Sequence, residues 1–195
     1  RAILLSNKTV DLLNLPIEID NSILNRKDVF PSPPWVVEIL IENANITPGC
    51  LCLEPSAGTG NLALELQNLG AIVEVIEPIP ELQLVLTLQN LLAIGSDFLT
   101  TPNLECKYDR IVQNPPFSLQ VSHTIKAYKC LKPGGRLVSL CSSAPWQHNS
   151  NLDKYFRNWL KTVGAQAIDL PYGLFVNSVR YTDVDCHLII IEKAN

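Results

Sequence analysis

The sequence predicts an α/β fold, a mostly parallel seven-stranded sheet with helices on both faces. Apolar runs of strand length alternate with longer helical patterns, as in successive βαβ units. The first apolar run ends in a glycine-rich turn that leads into a helix. With 195 residues, of which 47% are hydrophobic, the chain has the size of one domain and enough apolar residues for a buried core.

Each element is placed by its apolar pattern and its flanking turn residues. The strands are expected at Cys50–Glu54, Ala71–Ile76, Ala93–Gly95, Tyr108–Gln113, Arg136–Cys141, Ala165–Leu170 and Val184–Ile191. The helices are expected from an N-cap at Ser32 to about Asn45, and at Asn61–Leu69, Glu81–Leu92, Val121–Leu131 and Leu152–Val163. Residues 1–28 have a weak pattern and are predicted as an N-terminal arm or short helix, whereas residues 29–195 are predicted as one domain.

The turn after the first strand has the composition of a ligand-binding loop. It reads Pro55-Ser56-Ala57-Gly58-Thr59-Gly60. Its glycines let the backbone approach a ligand closely, and the following helix begins with free N–H groups. The match to a dinucleotide fingerprint is by itself weak evidence, because short glycine patterns recur in unrelated loops.

Polar residues also follow three later strands. Glu77 could accept hydrogen bonds from two ribose hydroxyls, and Asp97 could accept one from an adenine amine or be an ordinary turn aspartate. Ligands of an open parallel sheet bind beyond the carboxyl ends of its strands. We therefore expect Glu54, Glu77, Asp97 and Asn114 to lie on one rim of the sheet.

The four residues Asn114-Pro115-Pro116-Phe117, which follow the fourth strand, suit the methylation of an exocyclic amine. The Asn114 carbonyl oxygen could accept one amine hydrogen, and the rigid proline pair could present a backbone carbonyl to the other. Phe117 offers a flat apolar face for a planar substrate. Such a site positions and polarises the amine without a strong base, so we expect no catalytic histidine. The alternative is a simple turn after a strand.

Composition restricts the partners and the compartment. The net charge is −4, divided as −8 over residues 1–100 and +4 over residues 101–195, so bulk attraction to nucleic acid is not expected, although a basic face near Asn114 is permitted. The six cysteines form no CxxC pair and show no zinc spacing, which indicates reduced thiols and no metal. Without a long apolar run or a signal-peptide pattern, we expect a cytoplasmic protein with no membrane partner.

These motifs together resemble those of class I S-adenosylmethionine (SAM)-dependent amino-methyltransferases. The resemblance covers about residues 29–191 and rests on Val29–Pro33, on Leu53–Gly60, on Asn114–Phe117 and on the turn Leu131–Val138. It is closest to the small stand-alone DNA adenine-N6 methyltransferases. Two departures are Ser32 in place of the more usual threonine and the segment 175–180, which keeps Phe and Ser but lacks the usual Gly-Thr.

The resemblance implies a Rossmann-like sheet whose last strand is antiparallel, with SAM as the cofactor. It implies a role for each motif residue: Phe30, Pro31 and Ser32 at the methionine end; Glu54, Pro55, Ser56, Ala57, Gly58 and Gly60 along the methionine and ribose; Glu77 at the ribose; Asp97 and Phe98 at the adenine; and Asn114, Pro115, Pro116 and Phe117 at the target amine.

The first substrate expected from the resemblance is adenine N6, in DNA rather than RNA. The alternatives are guanine N2 in ribosomal RNA, a glutamine amide in a protein, or a SAM-binding subunit that is inactive without a specificity partner. The chain has no room for a separate target-recognition domain, so sequence specificity is expected to be weak or to come from short loops or a partner protein. A nicotinamide dehydrogenase would explain the glycines but not Asn114–Phe117.

Overall fold

The computed structural model of the chain describes residues 31–171 and 184–195. The helices in this part of the chain are α1 (Pro34–Ala44), α2 (Asn61–Asn68), α3 (Pro80–Leu88), α4 (Gln120–Cys130), α5 (Ala144–Gln147) and α6 (Asn151–Thr162). The strands are β1 (Leu51–Glu54), β2 (Ile72–Val75), β3 (Tyr108–Gln113), β4 (Leu131–Ser142), β5 (Gln166–Asp169) and β6 (Cys186–Glu192).

The strands form one sheet in the order β2-β1-β3-β4-β6-β5. Strands β1 to β4 are parallel, and β6 is antiparallel to both of its neighbours, which confirms the predicted fold class and the antiparallel last strand. The chain places β2 on one side of β1 and β3 on the other. The crevice at such a reversal, beyond the carboxyl ends of the two central strands, is where ligands of open α/β sheets bind.

The predicted third strand, Ala93–Gly95, is reduced to a single parallel bridge between Ala93 and Val75, so the described sheet has six strands and not seven. It lies beside β2, where a further strand would be. Helix α3 ends at Leu88, earlier than predicted, and Asn90 adopts a left-handed conformation with φ of 60°. The chain turns at once, so few residues remain extended alongside β2.

Two further boundaries differ from the prediction. Helix α1 begins at Pro34 with Pro33 at the N-cap, because proline suits the first helical position and disfavours helical geometry in the residue before it. Ser32 is therefore not the N-cap. Strand β4 begins at Leu131 rather than Arg136, since residues 132–135 form an irregularity within the strand and not a separate turn.

Helices cover both faces of the sheet and bury a core on each, as predicted. The α1 core packs α1 and α2 on one face and includes Val36, Leu40, Leu62, Leu66, Val112 and Leu140. The α4 core packs α4 and α6 on the other and includes Leu53, Ile111, Ala127, Leu137, Phe156 and Ile189. Each large apolar side chain buried in this way contributes about 1.5–3 kcal/mol, so the two cores hold the central strands in place.

The cysteines mostly serve as small core residues. All are free thiols, and only Cys106 is exposed. In the part of the chain that the structure describes, no helix has the length and apolar content needed to cross a lipid bilayer.

Candidate active site

The glycine turn that follows β1 has different requirements at its two glycines. Both adopt left-handed φ values, 55° at Gly58 and 87° at Gly60. A Cβ at Gly60 would lie 2.5 Å from Oε1 of Gln89 and 2.9 Å from the Leu86 side chain, so Gly60 is needed for close packing against α3. At Gly58 no atom lies within 4 Å of that position. The turn therefore leaves open space beside Gly58, at the carboxyl end of the central strand.

Glu77 fastens this turn to the end of β2. Its carboxylate is 4% exposed and accepts the Gly58 N–H at 2.7 Å on Oε2 and the Ile79 N–H at 2.9 Å on Oε1. Burial raises the pKa of Glu77, and the two N–H groups partly oppose that rise. Each carboxylate oxygen has a second lone-pair site, so Glu77 can hold the turn and still accept hydrogen bonds from two hydroxyls.

Glu54, the last residue of β1, is buried with an unsatisfied oxygen. It is 2% exposed, and its Oε2 has no hydrogen-bond partner among the described residues. Burial raises the pKa of Glu54 well above its usual range; the nearby Glu77 carboxylate raises it further, and the Ala63 N–H lowers it. A buried polar atom without a partner costs about 1–3 kcal/mol. A ligand carrying an ammonium or N–H group would remove that cost.

Ser32 connects the glycine turn to the Asn-Pro-Pro-Phe segment. Its hydroxyl oxygen accepts a hydrogen bond from Asn114 Nδ2 at 3.0 Å, and its backbone carbonyl accepts one from Asn61 Nδ2 at 3.1 Å. Asn61 is the first residue of α2, directly after Gly60. Ser32 is therefore hydrogen-bonded both to the Asn-Pro-Pro-Phe segment and to the helix that follows the glycine turn. The amide of Asn114 is held through its nitrogen, which leaves its oxygen as an acceptor.

The two prolines after Asn114 differ in their hydrogen bonding. The Pro116 carbonyl accepts the Leu119 N–H at 2.8 Å and closes a turn. The Pro115 carbonyl accepts no such backbone hydrogen bond in the described part of the chain, so it could accept one from a ligand. Phe117 is half-buried and packs against the α1 core.

Two buried glutamines, which the sequence analysis did not single out, anchor this segment at both ends. Gln113 donates from Nε2 to the Ser139 hydroxyl at 3.0 Å. Gln120 donates from Nε2 to the Ser142 hydroxyl at 2.9 Å and accepts the Ser142 N–H at 2.7 Å. Both serines lie on β4, the neighbouring strand. The sequence contains one signal of such an anchor, because Gln113 is a polar residue at a position that the strand pattern predicts to be buried.

Asp97 is exposed, and its carboxylate caps its own turn. Oδ1 accepts the Leu99 N–H at 2.8 Å, and Oδ2 accepts the Thr100 hydroxyl at 3.0 Å. This is the ordinary turn role that the sequence left open as the alternative to adenine recognition. One lone-pair site remains on each oxygen, so the observed capping does not exclude a second partner.

Phe98 and His123 form a buried aromatic pair behind the glycine turn. Their ring centroids lie 5.2 Å apart in an edge-to-face arrangement, and His123 Nδ1 is 3.4 Å from the Ser56 hydroxyl. Burial lowers the pKa of His123 to about 4. His123 thus faces the turn as a neutral ring. The Lys126 ammonium lies 5.2 Å from the centre of the Phe98 ring.

The remaining predicted residues are distributed as follows. Pro31 is half-buried ahead of α1, Pro55 and Ala57 are buried in the glycine turn, and Ser56 is half-buried there. Phe30 and segment 175–180 lie outside the described residues. Within the described ranges, no group of three or more His, Cys, Asp or Glu side chains is arranged to hold a metal ion.

Several basic side chains of the positive half of the chain lie far from this rim. Ion pairs join Lys107 to Glu74 at 2.6 Å, Lys132 to Asp109 at 2.8 Å, and Arg136 to Glu192. Lys107 directly precedes β3, and the other two belong to the first half of β4. A strand of six residues such as β3 is about 20 Å long. These cations therefore lie towards the amino ends of the strands and form no basic face beside Asn114.

No protein-family model matches the sequence, and no curated protein matches it. Solved structures do match the fold. A dimethyladenosine transferase from Plasmodium falciparum has a TM-score of 0.63 and 17% identity, over 83% of this chain and 62% of that one. A modification subunit of a type I restriction enzyme candidate from Vibrio vulnificus has a TM-score of 0.66 and 16% identity, over 88% and 46%.

A third structure matches along almost the whole of both chains. It is a candidate RNA methyltransferase from Pyrococcus horikoshii, with a TM-score of 0.63 and 16% identity over 95% of this chain and 97% of that one. The chain spans less than two thirds of each of the first two proteins. The described residues therefore have the Rossmann-like fold of the class I SAM-dependent methyltransferases.

Proposed function

We propose that the chain is a SAM-dependent methyltransferase that modifies an exocyclic amine, and that its substrate is adenine N6 in DNA. The observation that carries the proposal is the pair of hydrogen bonds that Ser32 accepts from Asn114 and from Asn61. These hydrogen bonds hold Asn114, the proposed acceptor for the amine, beside α2, which begins directly after the glycine turn. Methyl transfer requires this proximity, because donor and acceptor must be in contact as the bond forms.

The residues around the turn suit SAM. The unpartnered Oε2 of Glu54 would accept a hydrogen bond from the methionine ammonium, and Glu77 has free lone-pair sites for the ribose hydroxyls. The open space beside Gly58 would admit the chain of the cofactor against the backbone. When bound, SAM supplies a methyl group on a positively charged sulfur, and an amine nitrogen can attack the carbon of that methyl group.

The Asn114 segment would prepare the amine. An amine on an aromatic ring is a poor nucleophile because its lone pair is delocalised into the ring. Hydrogen bonds from its two N–H groups to Asn114 Oδ1 and to the Pro115 carbonyl would draw those hydrogens to one side and localise the lone pair on the other. As the nitrogen bonded to the methyl carbon, the carbon–sulfur bond would break and its electron pair would stay on the sulfur, which would leave as a neutral thioether. The methylated nitrogen would then lose one proton to water, because the Asn114 amide cannot keep it. The contribution of the chain is therefore positioning and electrostatic stabilisation.

Nucleic acid is the favoured substrate because Phe117 offers a face on which a base could stack. The three similar structures are named as a dimethyladenosine transferase, a modification subunit of a type I restriction enzyme candidate and a candidate RNA methyltransferase. At 16–17% identity they support the present proposal only by analogy of fold.

A second candidate is a SAM-binding subunit that methylates only with a specificity partner. The ion pairs of Lys107, Lys132 and Arg136 favour it, since these cations are not available to hold phosphates near Asn114. Such a subunit would bind SAM as tightly as the enzyme but would transfer no methyl group alone.

The test combines SAM calorimetry with transfer of a radiolabelled methyl group to unmethylated DNA, RNA and protein pools. We expect SAM binding and labelling of adenine in DNA, with Asn114→Ala binding SAM normally but transferring the methyl group at least about a hundredfold more slowly. Labelling confined to RNA or protein would replace the proposed substrate. Binding without any labelling would favour the subunit, and absence of SAM binding would refute both candidates.

A further inference from the structure

Helix α3 and the segment after it present an exposed apolar face at one edge of the sheet. We call this face the α3 edge and define it by Leu84, Leu88, Leu92 and Ile94, which are 62%, 42%, 73% and 37% exposed. Leu84 and Leu88 are four residues apart on α3 and therefore lie on the same side of the helix. The other side of α3 is buried through Leu82, Val85 and Leu86. The exposed leucines are thus additional to those that the fold needs.

Large exposed apolar side chains are concentrated in this region. Of the ten that occur in the described part of the chain, six belong to residues 69–94. Scattered apolar residues on a surface are ordinary, but a concentration of them marks an interaction site.

The α3 edge also lacks charge. Residues 82–96 contain no Asp, Glu, Lys or Arg, although residues 1–100 carry twelve acidic residues and only four basic ones. The exposed carboxylates of Glu81 and Asp97 bound this uncharged stretch at its two ends. Depletion of charge with retention of apolar side chains is the composition of the centre of a protein interface, and homodimer interfaces show it most strongly. A nucleic-acid surface would require the opposite composition, since phosphates bind to lysine and arginine.

The edge strand beside this face is incompletely covered. Among the described residues, β2 is the outermost strand of the sheet, and beyond it only Ala93 forms a bridge. Residues 93–95 pair with the end of β2, where the Ile94 N–H donates to the Val75 carbonyl at 2.9 Å and the Glu77 N–H donates to the Gly95 carbonyl at 3.3 Å. Among the described residues, the part of β2 before Val75 has no strand on this side, so this part of the sheet edge and the exposed side of α3 are both available to a partner.

We propose that the α3 edge is the interface through which two copies of this chain form a symmetric dimer. In a twofold interface, residues near the axis meet their own copies, so any charge there would face a like charge. Two copies of a chain with a net charge of −4 repel each other least where such a surface has no carboxylates, and residues 82–96 meet that condition. A different partner protein would not impose it, because opposite charges could be paired across the contact.

The size of the face fits the centre of such an interface. A stable interface buries about 800 Å² on each partner, with an apolar centre and a polar rim. The four apolar side chains would form the centre. Exposed uncharged polar residues beside them, Thr87 and Asn90, would belong to the rim.

Sedimentation velocity of the full chain at increasing concentration tests the proposal. We expect a dimer for the unmodified chain and a monomer for the double variant Leu84→Glu/Leu88→Glu, in which each copy would present two carboxylates to the other. Loss of a central interface residue costs about 2 kcal/mol or more, so we expect dimerisation to weaken by roughly thirtyfold or more.

Leu152→Glu is the matched control. Leu152 is 55% exposed and lies on α6, outside the α3 edge, so its replacement adds a charge without touching the interface. Circular dichroism of both variants separates dissociation from unfolding, and SAM calorimetry tests the proposed function independently. A monomer at every concentration, a dimer that survives the double variant, or a dimer disrupted equally by Leu152→Glu would each overturn the proposal.

Discussion

Replacing Glu54 by glutamine should strengthen the fold and weaken cofactor binding at the same time. The buried carboxylate has an oxygen without a partner, and burial raises its pKa well above 4.5, the ordinary value. An acid whose pKa is raised by folding lowers stability as the pH rises above its unfolded value. The loss is about 1.4 kcal/mol per pH unit until the raised pKa is reached. Glutamine has nearly the same shape but no charge, so it escapes this loss.

The assay is urea unfolding of the ligand-free protein at several pH values from 5 to 8. We expect Glu54→Gln and the unmodified protein to differ little at the acid end. As the pH rises, the free energy of unfolding of the variant should exceed that of the unmodified protein by about 1.4 kcal/mol more for each pH unit. SAM should bind the variant about tenfold to a hundredfold more weakly, because a hydrogen bond to a charged group contributes about 1.5–3 kcal/mol.

Glu77→Gln, the same substitution at a carboxylate whose oxygens both have partners, should destabilise the fold. Both oxygens of Glu77 accept backbone N–H groups, so an amide nitrogen would face a donor at one of them. We expect this variant to lose about 1–3 kcal/mol of stability.

If Glu54→Gln is less stable than the unmodified protein across the pH range, or if its SAM affinity is unchanged, the role assigned to the unpartnered oxygen of Glu54 is wrong.

The remaining predictions concern three residues around the same site. Asn114→Ala should lower kcat by a factor of about 10²–10³, the usual effect of removing one such polarising group, while calorimetry shows unchanged SAM affinity; a parallel loss of affinity would contradict its role. Ser32→Ala removes the acceptor that orients Asn114, a hydrogen bond of about 1 kcal/mol, so kcat should fall roughly fivefold and Ser32→Thr should restore it; equal rates for the two variants would refute the orienting role. His123 is buried with a pKa of about 4, against 6.5 in the unfolded chain, so stability should fall as the pH drops from 6.5 towards 4. His123→Gln should reduce that fall in acid unfolding curves, and an unchanged curve would show that other groups cause it.

Much of the fold could be predicted because its signals are local. The apolar runs of β1 to β4 gave their positions within a few residues, apart from the early start of β4, and the glycine turn predicted the start of α2 at Asn61. The predicted third strand failed because pairing depends on how sharply the chain turns at Asn90, which the composition of residues 93–95 does not reveal. The predicted N-cap failed because two prolines displaced the helix start beyond Ser32.

The placement of the candidate site was predicted more fully than its hydrogen bonds. The carboxyl ends of β1, β2 and β3 bring Glu54, Glu77 and Asn114 to one rim, as the alternation of strands and helices required. The Asp97 carboxylate proved to be occupied by its own turn. The two anchoring glutamines were missed because a polar residue in an apolar run has no visible partner until the neighbouring strand is known.

The sequence alone determined which side chains this chain can bring to a ligand, since strand ends, glycine turns and proline pairs are set by neighbouring residues. The tertiary structure decided how those side chains are used. Ser32 binds a residue 82 positions away, and the environment of Glu54 is set by packing across two strands and a helix. Contacts of this kind depend on the packing of distant segments, and no pattern of adjacent residues contains that information.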